Sequence, residues 1–203
     1  MKLINNIICI IILVFSLQSL SKADDVKDLE IDGMSIGDSA LDFYSKSEID
    51  NQKKYYPNSK KFFRAALITK SENFKRVQLH IKENDNNYII YAISGLNFFR
   101  DKKSSEKECL KMQKIIKKDI SLMLKNIKGT KLKKRKIDQD KTGNSVHYPI
   151  YFDFNDEKTE FIKLDCVIYG KEYFKQYGFY DHLRLGVQSA EYTYWLDNEA
   201  FNN

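Results

Sequence analysis

The sequence is poor in the residues that separate domains or build metal sites. Its 203 residues include only 2 prolines, 8 glycines, 3 cysteines and 3 histidines. No repeat, low-complexity block or interdomain linker is visible, so we expect a single domain. His80, His147 and His182 form no H-x-x-x-H pair, and no Cys₂His₂ spacing occurs. The sequence therefore predicts no metal site and no cofactor.

Long hydrophobic runs are also missing, except at the N-terminus. Ile7–Leu17 is almost wholly apolar, follows Lys2, and precedes Ser21-Lys22-Ala23 with small residues at −3 and −1 of a cut before Asp24. This pattern is typical of a secretory signal peptide, and the run is shorter than the ~20 residues that span a bilayer. We expect residues 1–23 to be cleaved and residues 24–203 to form one periplasmic or secreted domain.

The most regular pattern in the chain is Ser104–Ile127. Apolar residues recur there every three or four positions, and lysines fall mostly on the opposite side, which predicts an amphipathic helix. Ser104 and Ser105 supply cap oxygens at its start, and Gly129 follows its end. The predicted buried stripe comprises Cys109, Met112, Ile116, Ile120, Met123 and Ile127.

Runs of alternating apolar residues predict the strands. They cover Phe63–Thr69, Val77–Ile81, Tyr88–Gly95, Val146–Phe154, Glu160–Tyr169 and Leu183–Val187, with Thr130–Ile137 as strand or loop. A helix is expected to begin at Gly37, or at Ser35 if Ser35 and Asp38 form a capping box, and to run to Asn51 with Leu41, Tyr44 and Ile49 buried. A short helix is expected over Tyr192–Ala200. Because strands occur in runs, we expect an α+β fold. It has a mainly antiparallel sheet of about six to seven strands, with the long helix on one face.

Cys109 and Cys166 are the two cysteines outside the predicted signal peptide. Both occupy core-facing positions, Cys109 on the long helix and Cys166 on the Glu160–Tyr169 strand. We expect a structural disulfide between them, which an oxidising compartment permits. The alternative is a reactive cysteine, which needs an exposed, electropositive surrounding.

Two segments are candidate binding surfaces. The first carries Lys125, Lys128, Lys131, Lys133, Lys134, Arg135 and Lys136. It is either an anion-binding surface or a solvated edge strand that lysines protect from aggregation. It lacks interleaved aromatic residues, so we expect no nucleic-acid partner. The second is the aromatic connection that contains Tyr173, Phe174, Tyr177, Phe179 and Tyr180, a candidate exposed binding surface.

Three stretches resemble known families. Gly37-Asp38-Ser39-Ala40 is similar to the first block of the GDSL esterases, which implies Ser39 as nucleophile; the later Asp-x-x-His block of that family is absent, because His182 directly follows Asp181. The segment Ile31–Tyr44 (IDGMSIGDSALDFY), taken together with the signal peptide and the paired cysteines, is similar to a family of small exported proteins of AT-rich marine alphaproteobacteria. This resemblance implies no activity. Gly33-Met34-Ser35 is similar to the helix start of BamE/SmpA-type outer-membrane assembly lipoproteins.

Together these patterns predict a non-catalytic binding module of the cell envelope. Its partner is an envelope protein, a lipid or a polymer, and peripheral membrane contact is compatible with its charge. The formal net charge is +6, and it falls to +4 without Lys2 and Lys22. The two alternatives are a GDSL-like esterase using Ser39, and a basic protein that docks on anionic lipid or wall polymer through Lys125–Lys136.

Overall fold

A computed structural model describes residues 25–69, 72–124 and 126–201. The predicted signal peptide at residues 1–23 lies outside them. The described strands are β1 (Lys53–Tyr55), β2 (Phe62–Ile68), β3 (Arg76–Lys82), β4 (Ile90–Phe99), β5 (Thr130–Lys131), β6 (Arg135–Lys136), β7 (Val146–Asp153), β8 (Phe161–Ile168) and β9 (Asp181–Gln188). The described helices are α1 (Lys46–Asp50), α2 (Ser105–Met123), α3 (Lys171–Tyr177) and α4 (Ala190–Asn198).

All nine described strands form one antiparallel sheet. Its order is β1-β2-β3-β4-β9-β8-β7-β5, and β6 also pairs with β7. Two meanders, β2 to β4 and β7 to β9, meet where β4 pairs with β9 at the centre. The α+β class and the antiparallel sheet are confirmed. The predicted count of six to seven strands was too low, because β1, β5 and β6 are edge strands of two or three residues without an alternating pattern.

Helix α2 packs on one face of this sheet, across β8 and β9 and the end of β4. Cys109 and Ile120 are buried as predicted, and Met112 and Ile116 pack against the same core. The helix ends at Met123, one turn earlier than predicted, because the backbone leaves the helical region at Leu124. Met123 is therefore partly exposed rather than buried.

A disulfide joins Cys109 on α2 to Cys166 on β8 and confirms the predicted pairing. The Cα atoms are 5.9 Å apart, and 57 positions separate the two residues in sequence. Both residues are fully buried. The bond therefore fixes α2 on the sheet from inside the core.

The predicted helix from Gly37 to Asn51 is wrong as a continuous element. A 3₁₀ turn at Ala40–Asp42 and the short helix α1 replace it, because Ser45 leaves the helical region and caps α1 together with Glu48. Tyr44 and Ile49 are buried as predicted, whereas Leu41 is 38% exposed. The N-terminal segment packs on the same side of the sheet as α2, against the apolar residues of β2 and β3.

Helix α4 covers part of the opposite side of the sheet. Tyr192 and Trp195 are buried in a cluster with Phe62 and Ala92. His80 points away from Leu79 and Ile81, as the alternation predicts. His80 thus lies on the outer side of its strand, but α4 covers it there and leaves it 1% exposed.

Candidate functional site

The sheet face opposite α2, which we call the outer face, collects most of the chain's arginines and all of its histidines. Directly paired residues on neighbouring strands point to the same side of a sheet. The register pairs Arg64 with His80, and it pairs Arg135 with His147. When the register is followed from strand to strand across the sheet, seven residues fall on the outer face: Arg64, Arg76, Arg135, Arg184, His80, His147 and His182. Four of the chain's five arginines and its three histidines are thus brought together.

Arg184 lies at the centre of the outer face, on β9. It is half-buried, and its Nε donates a hydrogen bond to Oγ of Ser94 at 3.1 Å. A Cβ atom at the neighbouring Gly186 would lie 2.9 Å from that same hydroxyl oxygen, so glycine keeps the space open. Among the described residues, no carboxylate forms an ion pair with Arg184, Arg64 or Arg76. Arg184, at the centre of the face, therefore has no ion-pair partner among these residues.

Asp165 is the buried acid of the outer face. Its Oδ2 accepts hydrogen bonds from Nδ1 of His147 at 2.9 Å and from Nζ of Lys163 at 3.0 Å. Burial raises the pKa of this carboxyl, but the hydrogen bond from His147 and the charge of Lys163 outweigh burial, so the pKa lies below its usual value. No donor in the described part of the chain reaches Oδ1, which is also buried. A buried acceptor without a donor costs about 1–3 kcal/mol.

His80 belongs to a closed network beneath α4. The hydroxyls of Tyr56 and Tyr192 each lie 2.9 Å from its Nδ1, and Nε2 of Gln78 lies 3.0 Å from its Nε2. Burial lowers the pKa of His80 well below its usual value, and the charges of Arg184 and Arg64 lower it further. Both ring nitrogens have partners, so His80 supports the packing of α4 and does not face a ligand.

The predicted aromatic surface forms helix α3 and the turn that follows it. The prediction of a plain connection is corrected, since Lys171–Tyr177 is helical and Gly178 ends the helix with φ at +69°. Tyr177, Phe179 and Tyr180 are 43–50% exposed, while Tyr173 and Phe174 are half-buried. We call these five residues the aromatic cluster.

The aromatic cluster continues onto the outer face. Tyr169 stacks on Tyr173 with centroids 5.6 Å apart, and its ring also lies 5.9 Å from that of His182. Burial lowers the pKa of His182, the bond from its ring to the Tyr180 carbonyl raises it, and the charge of Arg184 lowers it. A band of rings thus leads from α3 to the cationic centre of the face.

The predicted basic segment lies along the β7 edge of the sheet. Six of its basic residues are exposed, namely Lys128, Lys131, Lys133, Lys134, Arg135 and Lys136. Lys125 lies outside the described residues. Of the six, Arg135 lines a pocket of about 200 Å³ together with Thr130, Lys158 and the edge-to-face ring pair Tyr151 and Phe161. The segment therefore adjoins the outer face, and it contributes one arginine to it.

Ser39 caps the 3₁₀ turn. Its hydroxyl donates to the Asn87 carbonyl at 2.7 Å and accepts from the backbone N–H of Leu41 at 3.3 Å. These are the bonds of a capping serine, in which the hydroxyl proton is directed at a carbonyl oxygen. Esterase activity at Ser39 stays a prediction.

Two features are absent from the described residues. These residues contain no group of three or more His, Cys, Asp or Glu side chains arranged to hold a metal ion. None of their helices combines the length and apolar character that crossing a membrane requires.

Sequence reasoning missed the outer face as a site. Its arginines come from four strands between residues 64 and 184. Arg64, Arg76 and Arg184 each look like a polar residue of an alternating strand, and Arg135 is one of several basic residues in the Lys125–Lys136 segment. Two features of the sequence could have indicated this site. Arginine is scarce in a lysine-rich chain, and the arginines in alternating strands occupy the positions that point away from the core. No family model matches the chain, and no curated protein or solved structure is significantly similar to it.

Proposed function

We propose that the chain is a non-catalytic binding module of the cell envelope, which holds an anionic ligand on the outer face of its sheet. The observation that supports this proposal is Arg184, a half-buried guanidinium at the centre of the face without a carboxylate partner among the described residues. Arginine is the residue best suited to bind carboxylate and phosphate groups, through two parallel hydrogen bonds. A partly desolvated cation that lacks internal compensation favours such a ligand.

The surroundings of Arg184 support a binding role for the whole face. Arg64 and Arg76 are exposed on the same side and extend the positive field beyond the centre. The aromatic cluster borders the face at His182 and supplies exposed apolar surface. The buried disulfide is compatible with an oxidising compartment, where exported proteins fold.

The proposal is tested with two charge-matched double variants. Arg64→Gln/Arg184→Gln removes two positive charges from the outer face, and Lys111→Gln/Lys114→Gln removes two from the exposed side of α2. Binding of short dextran sulfate is measured against neutral dextran, with folding checked by circular dichroism. We expect the arginine variant to lose at least tenfold in affinity and the lysine variant less than twofold. Equal losses would show that only net charge matters.

A second candidate function is docking of the basic segment on anionic lipid. The observation that favours it is the exposure of all six described basic residues between Lys128 and Lys136 along one sheet edge. Attraction to an anionic membrane is worth about 1 kcal/mol for each basic residue near the surface. Co-flotation with phosphatidylglycerol vesicles, lost in Lys133→Gln/Lys134→Gln/Lys136→Gln and kept in Arg64→Gln/Arg184→Gln, would support this candidate over the outer face.

A further inference from the structure

The cationic side chains of the outer face extend across almost the whole sheet. Arg64 on β2 and Arg135 on β6 are six strand-to-strand steps apart, with Arg184 between them. Neighbouring strands lie about 4.8 Å apart, so the row is on the order of 25–29 Å long. A single carboxylate or phosphate can contact only one point of this row. A ligand that matches its length is a chain with repeated anionic groups.

Acceptor groups interrupt the cationic row. Asp165 and Asp153 lie on the same face, and Oδ1 of Asp165 accepts no hydrogen bond from the described residues. A chain made only of phosphates would bring further acceptors and negative charge against these carboxylates. A sugar chain carries hydroxyl donors as well as anionic groups. A hydroxyl can donate to the half-exposed carboxylate of Asp153, whereas Oδ1 of Asp165 is buried and out of reach of a ligand on the face. The mixed polarity of the face therefore favours a carbohydrate over a polyphosphate.

The pocket at the end of the row has the form of a subsite for one ring. Its volume is about 200 Å³, below the roughly 300–1,000 Å³ of pockets that enclose a drug-sized ligand. Tyr151 and Phe161 give it an apolar wall. Its polar lining consists of two cations, a carboxylate and a hydroxyl, from Arg135, Lys158, Asp153 and Thr130. An acidic sugar fits this combination, because its C–H face packs on the aromatic wall while its carboxylate pairs with the guanidinium.

We infer that the outer face binds a linear acidic polysaccharide, a chain of carboxylated sugars that crosses the strands. One sugar ring occupies the pocket at Tyr151, and carboxylates further along the chain pair with Arg184 and Arg64. This inference rests on the proposed function and adds the chemical class of the ligand to it.

The test compares carboxylated sugars with phosphate chains on the oxidised protein. The probes are an oligogalacturonate long enough to cover the row, a polyphosphate of matched charge, and phosphatidylglycerol vesicles. Tyr151→Leu removes the ring from the pocket, Tyr151→Phe keeps it, and Tyr194→Leu removes an exposed ring from α4 as the matched control. Affinity is measured by titration calorimetry at fixed salt.

We expect oligogalacturonate to bind, with Tyr151→Leu weakening it five- to tenfold and with Tyr151→Phe and Tyr194→Leu close to wild type. Polyphosphate affinity is expected to be unaffected by any of the three. If polyphosphate binds as well as the sugar, or if Tyr151→Leu changes neither, anion binding stands and the polysaccharide is excluded. If neither polyanion binds, the proposed function itself fails. Binding to vesicles alone would overturn both and favour the basic segment.

Discussion

Asp165 and Arg184 stand directly opposite each other on β8 and β9, yet each uses its charged group elsewhere. Asp165 accepts from His147 and Lys163, and Arg184 donates to the hydroxyl of Ser94. Opposite charges at facing positions of neighbouring strands normally stabilise a sheet by pairing. Here the charge of the acid is offset by Lys163 on its own strand β8, with a further hydrogen bond from His147 on β7, and the guanidinium bonds to Ser94 on β4. This arrangement leaves Arg184 available to an outside anion.

Asp165→Asn is expected to destabilise the protein at neutral pH by about 1.5–3 kcal/mol, the range for hydrogen bonds to a charged group. Because the pKa of Asp165 is lowered in the folded protein, its carboxylate stabilises the fold above the usual value of 3.8. This contribution disappears as the pH falls through the folded pKa. Urea unfolding should therefore show a difference between variant and wild type that is large at pH 7 and shrinks below pH 3.8. Asp153→Asn, at a half-exposed acid of the same face, is the control. A difference that does not change with pH would contradict the assigned role.

Loss of the disulfide is expected to lower the free energy of unfolding by about 4 kcal/mol, the chain-entropy value for a loop of this length. The paired variant Cys109→Ala/Cys166→Ala and the reduced wild type should unfold at similar, lower urea concentrations. Peptide mapping without reduction should recover the two cysteines in one linked peptide. Recovery of both as free thiols from folded protein would contradict the bond.

His80 should make the protein less stable in weak acid. Its pKa is lowered by burial in the folded state, so the unfolded chain binds the proton more tightly and stability falls as the pH drops below about 6.5. The expected slope approaches about 1.4 kcal/mol per pH unit for this one group. Urea unfolding between pH 8 and pH 5 measures it. His80→Gln should be less stable at pH 8 but show a shallower slope. Equal slopes would mean that the pKa of His80 is the same in the folded and the unfolded protein, and would contradict its burial as a neutral ring.

The parts of the fold that could be predicted are those with a local repeat. Helix α2 follows from apolar residues three and four apart, and the Cys109–Cys166 pair follows from two core-facing positions in a chain with a predicted signal peptide. The order of the strands could not be predicted, since pairing β4 with β9 joins residues about 90 positions apart. The burial of His80 likewise depends on α4, which comes more than a hundred residues later. Contacts between residues so far apart in sequence produce no local pattern from which they could be predicted.

The candidate site was hidden for the same physical reason. Arg64 and Arg184 each alternate with apolar neighbours, as solvent-facing strand residues do, and only the sheet order brings them onto one continuous surface. The aromatic cluster could be found, because five rings within eight residues on a connection are difficult to bury together. Its continuity with His182 required the structure.

Lys102→Met is expected to destabilise the protein where α2, β9 and the segment before α3 meet. The fully buried carboxylate of Asp181 accepts from Lys102, from Oγ of Ser105 at 2.6 Å and from the backbone N–H of Tyr169 at 2.8 Å. Removing the ammonium group leaves a buried charge with only neutral donors, at an expected cost of about 1.5–3 kcal/mol. Lys103→Met, at an exposed position, should change the free energy of unfolding by less than about 0.5 kcal/mol.

A double-mutant cycle decides whether charge is the cause. Asp181→Asn keeps an acceptor for Ser105 but removes the charge, so Lys102→Met should cost less in that background than in the wild type. Hydrogen exchange of the Tyr169 amide provides the local readout, since its N–H bonds to the carboxylate of Asp181. Equal costs of Lys102→Met in both backgrounds would assign the loss to the other contacts of the ammonium group, which also donates to the Tyr169 carbonyl and lies over the ring of Phe174.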